Sequence, residues 1–135
     1  MTLDAFISFD GQCRDAVAFY ATVFDSAPTT MMTYADNPQA DVAPADRDRI
    51  LYAGLPVGGH VLMFSDCPSS SGYVPGNNIA LTFGSADRTE VERVFERLSD
   101  GGQVLMPLGR TFFAELFAMV RDQFGIMWQV THAPE

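Results

Sequence analysis

The sequence predicts an α+β fold made of two βαβββ modules in a single chain. Three observations point there. The order of strand-like and helix-like periodicities runs strand, helix, strand, strand, strand, and then repeats. A segment rich in Pro, Ser and Gly, residues 68–76, separates the repeats at the middle of the chain. Each half carries one amphipathic helix, while its strands are apolar on both alternating faces.

Residues 3–9, rich in Phe and Ile, read as the first strand, and Asp10-Gly11 as a turn. Residues 12–24 follow as a helix, because Ala16, Phe19, Tyr20 and Val23 fall on one stripe. Strands are expected over 29–34, 49–57 and 60–66, the last two joined by a Gly58-Gly59 hairpin turn. The polar, Pro-bearing stretch 36–48 between them reads as a mobile loop or lid. In the second half a strand is expected over 78–83. Asp87 with Glu90 three residues on resembles a capping box. The helix behind it places Val91, Val94, Phe95 and Leu98 on one face and stops at Gly101-Gly102. Three strands close the chain, over 103–108, 112–120 and 126–131.

One helix covers one face of a four-stranded sheet. The other face must be buried elsewhere or line a cavity. In 112–117 and 61–64 both alternation classes are largely apolar, so a fully solvated second face is not expected. The concave faces are therefore expected to form a pocket or an interface. Composition narrows the function classes. The 135 residues fit one compact domain, and 47% are apolar. No apolar run reaches the roughly 20 residues of a membrane helix. Eight basic against seventeen acidic residues give a net charge of −9, which disfavours nucleic acid; the acidity either simply keeps the protein soluble or also attracts a cationic ligand. The N-terminal residues show no basic, signal-like segment, and Cys13 and Cys67 are isolated, so a cytoplasmic protein with reduced thiols is expected.

Two segments carry a family resemblance. The stretch from Phe6 through Gln12-Cys13 and Ala16 to Phe19-Tyr20 resembles the "F-x-G-N-C-x-x-A-x-x-F/Y-Y" opening of PhnB-like proteins. Asp122-Gln123-Phe124-Gly125-Ile126-Met127-Trp128 is similar to that family's "D-x-F-G-v-x-W". Between them, His60 to Asp66 resembles its "i-M-m-S-D" strand end. The resemblance spans essentially the whole chain. It departs at Gln12, where Asn is usual, and at Phe113-Ala114 and Phe117-Ala118, where the family often has Trp and an aromatic-Gly pair. It implies the vicinal-oxygen-chelate, or glyoxalase/bleomycin-resistance, fold with a concave sheet cleft, usually as a homodimer. Some members carry a ubiquinone-methyltransferase label. That activity is not expected here, because a methyl-donor site needs a Gly-rich strand-to-helix turn in a parallel sheet.

The resemblance also implies where a divalent metal would sit in enzymes of this superfamily. Two ligands come from the first strands of the modules and two from the last. Here those positions fall on Ala5 or Phe6, Met63, Asn78 and Gln129. A shift of one residue brings in Phe6 and Phe64, or Ser8 and Ser65. None is a carboxylate or an imidazole, so no metal and no other cofactor is expected. Phe6, Ser8, Met63, Ser65, Asn78, Phe113 and Gln129 are then the candidates for holding a small-molecule ligand, with Trp128 expected beneath a helix. The methionines 31, 32, 63, 106, 119 and 127 either line an adaptable pocket or fill the core. Glu115, interrupting the apolar run 112–120, is either an acid or base of raised pKa or a solvent-facing edge residue. His60 is expected at the surface, and His132 is expected to fray near the C-terminus. Cys67 and Ser65 lack the neighbours of a nucleophile. A metal-dependent lyase, isomerase or dioxygenase is the alternative to a metal-free binding protein.

Overall fold

The computed structural model describes residues 1–132, which divide into two compact units, Met1–Val74 and a second that begins at Pro75. The boundary falls inside the Pro/Ser/Gly segment, which forms no regular element. In the first unit β1 (Phe6–Phe9), α1 (Cys13–Val23), β2 (Thr30–Thr33), β3 (Ile50–Val57) and β4 (His60–Asp66) build one sheet in the order β1-β4-β3-β2. β1 runs parallel to β4, and the other pairs are antiparallel. The second unit repeats the plan. β5 (Ala80–Ser85), α2 (Arg88–Ser99), β6 (Gln103–Gly109), β7 (Leu116–Arg121) and β8 (Met127–His132) give the order β5-β8-β7-β6, with β5 parallel to β8. Both sheets are mixed, and each has one helix.

Each core lies between the helix and one sheet face. In the first unit Ala16, Val17, Tyr20 and Val23 of α1 are fully buried with Phe9, Ala53, Leu55 and Phe64. The Tyr20 ring stacks on Phe64 at 5.6 Å, and Phe64 on Phe9 at 6.4 Å. In the second, Val91, Val94 and Leu98 are buried with Ala118, Val120, Trp128 and Val130. Fully burying such a side chain contributes about 1.5–3 kcal/mol.

The helix starts differ. Asp87 caps α2 locally, accepting from the Thr89 and Glu90 amides. The Glu90 carboxylate instead accepts from the Ser85 hydroxyl at 2.6 Å. Gln12 makes no side-chain cap of α1. The cap arrives from the sheet: Asp66 Oδ1 accepts from the Gly11 amide at 2.8 Å and the Cys13 amide at 3.0 Å, and Oδ2 from the Ile50 amide at 3.0 Å. A buried carboxylate there also meets the positive end of the helix dipole.

Two glycine pairs are required by geometry. Gly58 and Gly59 hold φ of +53° and +84°, the left-handed pair of a tight hairpin. Gly101 ends α2 at φ +70°. Gly102 is needed for a second reason: a Cβ there would press on the Arg121 carbonyl oxygen and lie 3.0 Å from the Asp122 Cα, both backbone atoms. Gly102→Ala is therefore expected to destabilise by about 1–3 kcal/mol, read as a lower urea midpoint at unchanged slope.

Several boundaries depart from the sequence reading. Residues 3–5 precede β1, and Arg49 precedes β3. The Arg49 guanidinium is engaged by Asp10 Oδ1 at 2.7 Å, the Cys67 carbonyl at 2.9 Å and Asp46 Oδ1 at 3.2 Å. Asn78 is not in a strand; it lies in an exposed bend before β5. Phe112, Phe113 and Glu115 are not in β7 either. Thr111 captures the local backbone: its amide donates to the Ala114 carbonyl at 3.0 Å, and its Oγ1 accepts from the Ala114 amide at 3.1 Å. That turn outcompetes the strand propensity of the two phenylalanines. His132 does not fray. It ends β8 opposite Leu116, is 8% exposed, and its Nδ1 lies 3.1 Å from the Ser85 carbonyl. The 36–48 loop contains short 3₁₀ turns and is tied at its base by the Ala35 amide donating to the Arg47 carbonyl.

Candidate functional site: two sheet faces and a polar hollow

Because Phe64 stacks on Tyr20 of α1, strand alternation turns Met63 and Ser65 to the opposite face. The parallel register sets Phe6 beside Met63 and Ser8 beside Ser65, so these four candidates share that face. Phe6 is 52% exposed, and its ring centroid is 6.4 Å from that of Tyr52 on β3. Met32, beside Tyr52 in the β2–β3 register, is also exposed. The result is a small aromatic and thioether surface bordered by two hydroxyls.

In the second unit Trp128 and Val130 are buried, and Gln129 faces the other way. The Trp128 indole donates to Asp122 Oδ2 at 2.8 Å. Asp122 Oδ1 accepts from the Phe124 and Ile126 amides at 2.8 and 3.1 Å. Gln129 pairs across the sheet with Thr82, whose hydroxyl donates to Gln129 Oε1 at 3.2 Å. Met119 flanks Gln129 on the other side. Thr82, not Asn78, therefore stands beside Gln129 in the parallel β5–β8 register. Ala5 precedes β1 and contributes its carbonyl, which accepts from the Met63 amide.

The side chains on these faces, Phe6, Ser8, Met63, Ser65, Thr82 and Gln129, are all neutral. Among the described residues no three His, Cys, Asp or Glu side chains converge as a metal site would require. His60 is exposed, 3.4 Å from Asp4 Oδ1. Cys13 is buried beneath the sheet, and burial together with the nearby Asp66 pushes its thiol up to about 12, out of nucleophilic range. Asp46 is buried; the Ser69 hydroxyl and amide hold its carboxyl below the usual value. Through Ser69 and Arg49, Asp46 fastens loops of the first unit.

A feature that sequence reasoning missed lies wholly in the second unit. Arg110, Phe112, Phe113 and Glu115 of the β6–β7 loop, with Thr131 and His132, line a hollow of about 430 Å³. His132 Nε2 is 3.8 Å from Glu115 Oε2; the His132 side chain is 9% exposed and that of Glu115 62%. Phe113 contacts Phe112 and Phe117 edge-on, with centroids 5.1 and 5.0 Å apart. Phe113 and Glu115 are thus brought together with His132. Phe6, Ser8, Met63 and Ser65 form a separate group, and Asn78 joins neither. Sequence spacing gave no cue to His132, because only the Thr111 turn folds the loop back toward the end of β8.

Two mixed four-stranded sheets, each backed by one helix and built in the same βαβββ order, define a protein of the glyoxalase/bleomycin-resistance fold. A glyoxalase/bleomycin resistance protein/dioxygenase family enzyme from Burkholderia phytofirmans PsJN shares that fold. It matches 96% of this chain and 95% of its own at a TM-score of 0.64 and 13% identity. The family described as 3-demethylubiquinone-9 3-methyltransferase matches residues 2–131. The chain belongs to that family and is PhnB-like; the methyltransferase wording is the family's label alone. The protein PA1353 from Pseudomonas aeruginosa is 32% identical over 100% of this chain and 99% of its own, with a TM-score of 0.91. A putative 3-demethylubiquinone-9 3-methyltransferase, PhnB protein, from Bacillus cereus is 25% identical over 98% and 100%, at 0.81. Among the described residues no helix is long and apolar enough to cross a membrane.

Proposed function

We propose that this chain is a cytoplasmic, homodimeric PhnB-like protein that binds a small planar molecule on the sheet faces turned away from its helices, without a metal. One observation carries the reading: Phe6, Tyr52 and Met63 form an aromatic and thioether surface flanked by the Ser8 and Ser65 hydroxyls. Aromatic faces and thioethers suit flat ligands, and a few hydroxyls fix their orientation. The neutral Thr82–Gln129 pair offers the same chemistry on the second sheet. Neutral oxygens and a thioether do not make a site for a hard divalent cation, which supports the metal-free reading. The two isolated, free cysteines support the cytoplasmic assignment.

The test uses the full chain with ¹³C-methyl methionine, titrated with a panel of planar aromatic compounds that carry no carboxylate. A binder is expected to move the Met63 and Met32 signals, and Phe6→Ala to weaken it by about tenfold. Elemental analysis runs beside it. Movement at neither methionine across the panel would sink the reading. So would a stoichiometric metal in the purified protein, which would favour a metal-dependent lyase, isomerase or dioxygenase.

A further inference from the structure

We propose that the hollow beside the end of β8 is a second ligand site, one that takes a small planar carboxylate. Arg110 holds the carboxylate, Phe112 and Phe113 hold the ring, and Glu115 is the internal carboxylate that the ligand replaces. Its volume, about 430 Å³, is in the range of small-molecule sites.

The His132 ring is fixed at one end. Its Nδ1 lies 3.1 Å from the Ser85 carbonyl, which only accepts, so Nδ1 carries a proton. That leaves Nε2 as the atom nearest Glu115, at 3.8 Å. This is beyond a hydrogen bond, so a carboxylate stands before Nε2 without being tightly held. The two partners differ in freedom: 9% of the His132 side chain is exposed against 62% of Glu115. An exposed, loosely paired carboxylate is displaced cheaply.

Arg110 supplies the charge for a replacement. Among the described residues it has no ion-pair partner, and its guanidinium fork matches a carboxylate at two points. The ring of the ligand has a ready surface. Phe112 is fully exposed and Phe113 is 59% exposed, an uncommon state for two adjacent phenylalanines. The chain's net charge of −9 favours a ligand of the opposite sign, so an organic cation is the decisive control. None of these residues belongs to the sheet-face site proposed above, so the two readings fail independently.

The experiment is a titration of the full chain, followed by the His132 ring, Phe113 and Met63 signals, with benzoate, benzylamine and benzyl alcohol as probes. Benzoate is expected to move His132 and Phe113 but not Met63, and the other two probes to leave both in place. Arg110→Ala is expected to weaken benzoate by about tenfold or more. Glu115→Gln is expected to tighten it, because a competing, repelling carboxylate is removed. Movement by benzylamine instead of benzoate would overturn the proposal. So would an unchanged affinity in Arg110→Ala, or an unchanged or weaker one in Glu115→Gln. Both substitutions lie at exposed side chains in one loop, so an unchanged amide spectrum elsewhere verifies the fold.

Discussion

Replacing Asp66 by alanine is expected to lower the stability of the protein by about 3–5 kcal/mol, and Tm by on the order of 10–20 °C. The carboxylate is 1% exposed and accepts the amides of Gly11, Cys13 and Ile50. Each donor stranded without water or a partner costs about 1–3 kcal/mol. The loss is spread over three places in the chain: the β1–α1 turn, the first residue of α1 and the start of β3. Asp66→Asn retains one accepting oxygen and is expected to cost clearly less. Urea unfolding followed by circular dichroism measures both. A loss under about 1 kcal/mol for the alanine variant would mean that α1 does not depend on this cap.

Asp122→Ala is the second large effect, again expected at about 3–5 kcal/mol. Asp122 is 3% exposed and accepts the Phe124 and Ile126 amides and the Trp128 indole N–H. It therefore ties the β7–β8 turn to the tryptophan beneath α2. Trp128→Phe removes one of these bonds and some packing, and is expected to cost about 1–3 kcal/mol. The double variant should lose less than the sum of the two singles, because both remove the same indole bond. Additive losses would show that the carboxylate acts on the turn alone.

These two carboxylates give physical content to the motifs that suggested the family. The "S-D" at the end of β4 supplies the cap that Gln12 does not. In the Asp122-to-Trp128 motif, the aspartate bonds residues two, four and six positions on, and Gly125 takes φ +86° to allow the turn. The second module has no such carboxylate at the end of its last strand. His132 stands there, bonded to Ser85, and Asp87 caps α2 from its own turn. The modules share an order of elements and differ in how each helix start is satisfied.

The helices and most strands were legible because their signals are local. An apolar stripe at helical spacing, a Gly-Gly hairpin and a capping aspartate act within a few residues. The misread segment shows the limit. Phe112 and Phe113 carry strong strand propensity, yet one threonine hydroxyl bonded to a backbone amide three residues on was enough to make a turn. The apolar pattern starts a strand at Asn78, but the strand begins at Ala80, and Thr82 is the residue that stands opposite Gln129. A small register error moves every side chain to a different neighbour, or to the other face.

What the sequence by itself determined is the twin βαβββ order, the family and the neutral chemistry of the candidate sheet positions. Residue type and periodicity carry that information without knowledge of distant partners. Only the tertiary structure decided that Asp66 caps a helix 53 positions before it in the chain, that Phe6 lies beside Met63, and that Glu115 meets His132. Those pairings depend on chain closure over long separations, where the geometry of sheet and turn, not residue type, chooses the partner.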